Sequence, residues 1–211
     1  MVSVAVIDYN AGNIRSVAKA LEVVNADTFV ASSPKDLERA EKIVLPGVGF
    51  FGDGMKNLER LGLVKALEKE VLGEKKPFLG ICLGMQLLSL ESEESSGVKG
   101  LGWLNTKVTK LHITEPGIKI PHMGWNELDL REKATLFRGL PKKPCFYFAH
   151  SYAMNCLGEP NVVRATANYG GNFVVAVEKG NIFGVQFHPE KSQEPGLKLL
   201  KNFVKWGPGN D

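Results

Sequence analysis

The apolar residues in the first half of the chain alternate between short runs and stripes at helical spacing. Apolar runs rich in β-branched residues predict strands at 2–9, 27–31, 42–45 and 78–81. The segments between them carry apolar residues every three or four positions and predict helices at 14–24, 34–40, 55–71 and just past Cys82. Alternating strands and helices indicate a mainly parallel sheet covered on both faces, which is an α/β fold.

The second half of the chain has fewer helical stripes and more aromatic, β-rich segments. These segments predict strands at 106–111, 123–130, 145–152, 161–168, 173–178 and 182–187. Turns such as 169–172 join them, so we expect a smaller region of antiparallel or mixed strands. Apolar residues at 197–204 predict a final helix. Because no repeat or low-complexity linker divides the chain, residues 1–206 are predicted to be a single domain, with 207–211 as a frayed tail.

Composition narrows the class of protein. Of 211 residues, 44% are hydrophobic and 23% charged, as in ordinary globular proteins. No apolar run reaches the ~20 residues that a membrane helix needs, and the first residues lack the features of a secretion signal, so we expect a cytoplasmic protein. The net charge of +3 is spread along the chain, which does not favour nucleic-acid binding.

The cysteines and histidines do not form a metal-binding pattern. Cys82, Cys145 and Cys156 are odd in number and show no CxxC spacing, which argues against a disulfide framework and against a zinc site. The four histidines are scattered and form no HExxH motif. We therefore expect reduced thiols and no metal.

Cys82 lies in Gly80-Ile81-Cys82-Leu83-Gly84, where a predicted strand meets a predicted helix. This spacing is typical of a nucleophile elbow, a sharp turn that exposes the nucleophile while glycines avoid backbone clashes. The helix start would favour the reactive thiolate, and the N–H of Leu83 would point at a developing oxyanion. The alternative is a buried cysteine that fills a small space at the end of a strand.

A candidate base follows the apolar segment IFGVQF, in Phe187-His188-Pro189-Glu190. If this strand runs parallel and adjacent to the one that ends at Cys82, the His188 imidazole lies at the same sheet edge as the thiol. Glu190 is close enough to accept a hydrogen bond from the other ring nitrogen. By itself the segment would fit a solvated surface turn, but together with the elbow it favours a Cys–His–Glu triad.

The two segments GICLGMQLL and FGVQFHPEKS resemble the class I glutamine amidotransferases. Five further segments resemble one branch of that family, the glutaminase subunits that act in histidine biosynthesis: IDYNAGNIRS (7–16), LPGVGFFGDGM (45–55), SEESSGVKGLGW (92–103), PHMGWNEL (121–128) and FYFAHSY (146–152). The resemblance runs in order from residue 7 to 192 and implies a flavodoxin-like, doubly wound α/β fold. It also implies glutamine hydrolysis without a cofactor, with Cys82 as nucleophile, His188 as general base and acid, and Glu190 as the residue that orients His188.

The resemblance also implies a set of substrate-binding residues. Gly47, Val48 and Gly49 match a segment that supplies the second oxyanion donor. Because two glycines make a peptide flip easy there, we hypothesise that the oxyanion hole is completed only on a signal. Gln86, four residues after the thiol, matches a substrate contact. His150, Ser151 and Tyr152 match a segment that holds the α-amino and α-carboxylate groups, although the residues alone favour a core role for His150.

A partner is implied as well, because free ammonia would be lost to solvent. The family passes it to a (β/α)8-barrel cyclase subunit, and we expect a one-to-one heterodimer. The positions that match the contact with the cyclase are Asn13, Met123, Trp125, Tyr147 and Lys191. From residue type alone, Trp125 would equally fit a core position and Lys191 a solvated surface.

Three rival interpretations stay open at this point. The chain could be the glutaminase of another class I amidotransferase, although PHMGWN and HPEKS argue against that. It could be a cysteine hydrolase or peptidase on a related flavodoxin-like fold. It could also be a non-catalytic subunit, which the presence of Cys82, His188 and Glu190 makes a poor fit.

Overall fold

The computed structural model describes residues 1–208, so the last part of the predicted tail, 209–211, lies outside the described residues. The strands are β1 (Ser3–Ile7), β2 (Asp27–Ala31), β3 (Lys42–Gly47), β4 (Phe78–Cys82), β5 (Glu91–Ser92), β6 (Lys107–Lys110), β7 (His122–Glu127), β8 (Asp129–Leu130), β9 (Cys145–His150), β10 (Tyr152–Asn155), β11 (Val163–Asn168), β12 (Asn172–Lys179) and β13 (Ile182–Val185). The α-helices are α1 (Ile14–Val23), α2 (Pro34–Glu38), α3 (Phe51–Arg60), α4 (Leu63–Leu67), α5 (Leu83–Gln86) and α6 (Gln193–Lys205).

The largest sheet has the strand order β2-β1-β3-β4-β13-β12-β11-β8. Its first five strands run parallel, and β12, β11 and β8 continue it in antiparallel fashion. Two smaller sheets lie beside it: the three strands β10-β6-β5, and the two-stranded antiparallel ribbon of β7 and β9, called the β7–β9 ribbon below. The predicted mixture of a parallel sheet with a smaller mixed and antiparallel region is confirmed.

Alternate residues of the parallel strands pack on opposite faces of the sheet. On one face Ala5 and Ile7 of β1 join a core with Phe51, Met55 and Leu58 of α3. On the other face Val4 and Val6 join a core that includes residues of α1 and α6, among them Val17, Leu21, Leu200 and Phe203. Both faces are covered, as the continuous apolar runs of the strands predict. Within the described residues, no helix is long and apolar enough to cross a membrane.

The single helix predicted over 55–71 is wrong. Gly62 has φ of +67°, in the left-handed region, and separates α3 from α4; a π-helical turn at Glu68–Gly73 follows. The apolar stripe survives the break because Met55, Leu58, Leu67 and Val71 are still buried. The helix predicted after Cys82 is a single turn, since Leu88 and Ser89 already donate tighter i to i−3 hydrogen bonds.

Candidate active site

Cys82 adopts a strained conformation at the end of β4, with φ of 53° and ψ of −109°. A non-glycine residue held there costs about 1–3 kcal/mol, which the surrounding structure must supply. A Cβ at Gly80 would lie 2.5 Å from the Gly84 carbonyl oxygen, and a Cβ at Gly84 would lie 1.9 Å from the Leu45 carbonyl oxygen. Both flanking glycines are therefore required by close backbone contacts, and the predicted elbow geometry is present.

The single turn of α5 changes one part of the expected electrostatics. A helix dipole needs several aligned turns to reach its full effect, so the four residues Leu83–Gln86 give Cys82 little dipole support. Side chains around the sulfur are therefore the main groups that can act on it.

The register of β13 on β4 brings His188 to the thiol. Val185 pairs with Ile81 in parallel, so the next residues, Gln186 and Cys82, lie side by side at the carboxyl edge of the sheet. Two residues on, His188 donates its backbone N–H to the Tyr147 carbonyl oxygen at 2.9 Å. Strands β4 and β13 are thus parallel neighbours, as the predicted triad required.

A turn at Pro189–Lys191 returns Glu190 to the imidazole. His188 Nδ1 lies 2.9 Å from Glu190 Oε1, and both side chains are almost fully buried. The other carboxylate oxygen, Oε2, is buried and has no hydrogen-bond partner among the described residues, so the carboxylate acts on His188 alone. Ser192 holds the turn in place, since its hydroxyl donates to the His188 carbonyl and accepts the Tyr147 N–H.

The groups around His188 make it a stronger base than a free histidine. Burial alone lowers the pKa of His188, but hydrogen bonds to Cys82 and Glu190 and the negative charges of these groups raise it to about 9. By contrast, burial raises the pKa of Cys145, and burial followed by the charge of Glu159 raises that of Cys156 to about 12. Of the three thiols, Cys82 is the one that shares a hydrogen bond with a histidine.

The thiol opens into a cavity of about 380 Å³. Seven of the eight predicted oxyanion and substrate residues line it: Val48, Gly49, Leu83, Gln86, His150, Ser151 and Tyr152. The cavity is also lined by Met123 from the predicted partner surface and by Glu94, a carboxylate that sequence reasoning missed. Glu94 accepts a hydrogen bond from the Phe51 N–H at 2.8 Å, which fixes it at the start of α3. In the sequence, the only indication of Glu94 was that it is one of two acidic residues in SEESSG.

Gly47, the eighth residue, is buried below the cavity and does not line it. A Cβ there would lie 2.2 Å from the Tyr9 hydroxyl and 2.8 Å from Leu83 Cβ, so this position accepts only glycine. Gly49 differs, because its φ is +100° and nothing lies within 4 Å of where its Cβ would point. Close contacts therefore fix the backbone at Gly47, whereas the space beside Gly49 is open.

His150 lines the cavity with a ring whose two nitrogens are already engaged. Nδ1 lies 2.9 Å from the Tyr152 carbonyl oxygen, and Nε2 lies 3.0 Å from Nδ1 of His122 on β7. Burial lowers the pKa of His150 to about 3 and that of His122 to about 4, so both rings are neutral at neutral pH. The core role that the residues alone favoured for the His150 side chain fits this geometry.

Three of the five predicted partner residues form one exposed cluster. Trp125 and Tyr147 are cross-strand neighbours on the β7–β9 ribbon with ring centroids 6.1 Å apart, and Lys191 Nζ lies 5.6 Å from the Tyr147 ring centroid. Met123 lies on the same ribbon and is 63% exposed, and Trp125 is 48% exposed. Asn13 is exposed at the start of α1. Trp125 is therefore not a core residue.

A strained elbow cysteine beside a buried His–Glu pair is the arrangement of a cysteine-dependent enzyme. The chain matches the family model "Glutamine amidotransferase class-I" over residues 5–206 and belongs to that family.

Within this family, the chain belongs with the HisH subunits of imidazole glycerol phosphate synthase. It is 50% identical over 202 residues to "Imidazole glycerol phosphate synthase subunit HisH 1" of Campylobacter jejuni (strain RM1221), covering 96% of this chain and 99% of that one. It is 44% identical over 214 residues to the HisH subunit of Caulobacter vibrioides, covering 99% and 100%.

Solved structures show the same fold at much lower identity. "Crystal structure of glutamine amidotransferase" superposes with a TM-score of 0.71 at 21% identity, covering 92% of this chain and 94% of that one. "Structure of PurLQS from Thermotoga maritima" superposes with a TM-score of 0.70 at 22% identity, covering 96% and 97%. The predicted fold class is therefore confirmed.

Proposed function

We propose that this chain is the glutaminase subunit of an imidazole glycerol phosphate synthase. It hydrolyses glutamine to glutamate and ammonia and passes the ammonia to a (β/α)8-barrel cyclase subunit in the cytoplasm. The main support for the proposal is the buried His188–Glu190 pair beside a strained Cys82 that lines a cavity of about 380 Å³. The names of the relatives support the choice of this synthase over other amidotransferases.

The proposed reaction has two halves. In the first, the Cys82 thiolate attacks the side-chain carboxamide carbon of glutamine, and protonated His188 gives its proton to the nitrogen that leaves as ammonia. In the second, water attacks the γ-glutamyl thioester while neutral His188 takes its proton, and the thiolate leaves. Glu190 keeps the imidazole in the orientation and tautomer that both proton transfers need.

The tetrahedral intermediates need hydrogen-bond donors for their oxyanion. The proposed donors are the N–H of Leu83, which follows the nucleophile, and an N–H near Val48. The open space at Gly49 supports the hypothesis that this peptide flips into place only when a signal arrives. Gln86, Ser151 and Tyr152 are proposed to hold the amino-acid end of glutamine.

The proposed partner surface continues from the cavity to the exposed cluster on the β7–β9 ribbon. Met123 lines the cavity and is largely exposed, so ammonia formed at Cys82 would leave beside a residue that the cyclase covers. Trp125, Tyr147 and Lys191 would form the aromatic and cationic part of the contact, with Asn13 at the rim. The resemblance to the glutaminase subunits supports a one-to-one heterodimer with the cyclase subunit.

A coupled assay tests this proposal. The chain is incubated with glutamine alone, with a purified (β/α)8-barrel cyclase subunit, and with that subunit plus its nucleotide ligand. We expect glutamate release to be greatest in the full mixture and to be matched by formation of the imidazole product. Glutamate release equal in all three mixtures, or release without product, would contradict the proposed partnership.

Trp125→Ala should weaken association with the cyclase subunit by about tenfold to a hundredfold, because a half-exposed aromatic at the centre of an interface is a typical energetic hot spot. Isothermal titration calorimetry measures the loss. Leu157→Ala is the matched control, since Leu157 is 87% exposed and follows β10, so it belongs to neither strand of the ribbon. Equal affinities for the two variants would place the partner elsewhere.

A further inference from the structure

The residue that directly follows β13, beside Cys82, is polar and was given no role from the sequence motifs. Gln186 interrupts the apolar segment IFGVQF and is completely buried. A buried amide costs about 1–3 kcal/mol unless both its ends are hydrogen-bonded, so a glutamine at such a place needs partners. It has two: Nε2 lies 3.6 Å from Cys82 Sγ, within reach of a hydrogen bond to sulfur, and Oε1 lies 3.0 Å from Gln86 Nε2.

The Tyr152 backbone carbonyl determines which atoms donate and which accept in these hydrogen bonds. The Tyr152 carbonyl oxygen can only accept, so Gln86, at 2.9 Å, must turn its Nε2 toward it. The second hydrogen of that nitrogen then goes to Gln186 Oε1. With its oxygen used in this way, Gln186 has only its N–H group to present to the sulfur. The reversed amide would set two donors, Gln86 Nε2 and Gln186 Nε2, against each other.

The same Tyr152 carbonyl oxygen also accepts from the β7–β9 ribbon. His150 Nδ1 lies 2.9 Å from it, and His150 Nε2 in turn lies 3.0 Å from His122 Nδ1. Since a carbonyl accepts, His150 donates from Nδ1 and accepts at Nε2, and His122 is the donor in the pair. The Tyr152 carbonyl oxygen therefore accepts from both His150 and Gln86, and the hydrogen bonds that lead to the sulfur run from Gln86 through Gln186.

We propose that Gln186 is a further catalytic residue, whose side-chain N–H donates to the sulfur of Cys82 and stabilises the thiolate form. A donor favours the charged state of its acceptor, so it supplies support that the single turn of α5 does not. Only the expected change in the rate of glutamine turnover rests on the proposed function. Among the described residues, the titratable groups that interact with the sulfur are His188, three residues after β13, and Tyr9, two residues after β1.

The test uses Gln186→Met, which keeps the length of the side chain and removes the donor. In the complex with the cyclase subunit, we expect the rate of Cys82 alkylation by iodoacetamide at neutral pH to fall about tenfold, and the midpoint of its pH profile to rise by about one unit. The kcat for glutamine should fall about 10- to 100-fold with little change in KM, and ammonium-driven cyclisation should be unchanged.

The matched control is Thr106→Val, which removes another buried hydrogen bond, that from Thr106 to Ser89 at 2.9 Å. It should lower stability without moving the alkylation profile. An unchanged profile in Gln186→Met, or the same change in both variants, would overturn the proposal.

A second measurement on the unaltered chain keeps the proposal falsifiable if Gln186→Met does not fold. The side-chain amide protons of Gln186, followed by NMR, should shift as the Cys82 thiol titrates, and this shift should vanish in Cys82→Ala. If the chemical shifts of these amide protons did not change as Cys82 titrates, the proposed role of Gln186 would be wrong. Absence of glutamate release by the unaltered complex would instead count against the proposed function, because alkylation and NMR do not depend on turnover.

Discussion

Cys82→Ala is expected to lower glutamine-driven synthesis by about 10⁴-fold or more while leaving ammonium-driven synthesis by the cyclase subunit intact. The expected loss follows from the removal of the atom that bonds to glutamine, since a triad without its nucleophile keeps only binding and oxyanion contacts. The sparing of the ammonium reaction follows from the division of labour, because only the supply of ammonia is lost. Both rates are measured on the same complex, with glutamine or an ammonium salt as the nitrogen source.

Cys145→Ala is the matched control, because it removes a half-buried thiol whose pKa is raised by burial. Neither rate should change in it. If Cys82→Ala lost the ammonium-driven reaction as well while still binding the cyclase, Cys82 would have a structural role in the complex, and the proposed division of labour would be wrong.

Glu190→Gln is expected to lower kcat for glutamine by about 10²- to 10⁴-fold with a smaller effect on KM. The carboxylate lies 2.9 Å from His188 Nδ1 and orients the ring, and an amide in its place removes the charge that stabilises the protonated imidazole. The same loss should lower the pKa of His188. Glu194→Gln, on an exposed carboxylate at the start of α6, is the control and should leave kcat unchanged.

The loss of stability caused by Glu190→Gln should also depend on pH. Because the folded-state pKa of His188 is raised from 6.5 to about 9, the stability that its partners give is fully present below pH 6.5 and is lost as pH rises through 9. The difference in unfolding free energy between the unaltered chain and Glu190→Gln should therefore be larger at pH 6 than at pH 9.5. Chemical denaturation at the two pH values measures it, and a difference that grew with pH would contradict the assignment of the charge to His188.

The periodicity of the sequence predicted the sheet and most of its helices, because the strands are buried on both faces and carry continuous apolar runs. It failed at Leu61 and Gly62, where the apolar stripe continues across a break in the backbone. A stripe reports which side of a segment is buried, and it does so equally well for one helix or for several short ones. The left-handed conformation of Gly62 was the missing information.

The meeting of Cys82, His188 and Glu190 at one sheet edge could be predicted because a glycine-flanked elbow and a strand end carry local signals. The contacts of Gln186 and Glu94 could not be predicted, since they arise from the register of β13 on β4 and from the hydrogen bond of Glu94 to Phe51. His122 is a similar case, because only the pairing of β7 with β9 places it against His150. Contacts between residues distant in sequence are decided by strand pairing, which one sequence does not reveal.

The most direct measurement of the central claim is labelling by a diazoketone analogue of glutamine, which carries an electrophilic carbon in place of the carboxamide. The complex with the cyclase subunit is treated with the analogue, digested, and mapped by mass spectrometry. The predicted result is a single adduct at Cys82 that excess glutamine prevents. An adduct at Cys145 or Cys156, or labelling of Cys82 that glutamine does not slow, would contradict the assignment of Cys82 as the nucleophile of a glutamine site.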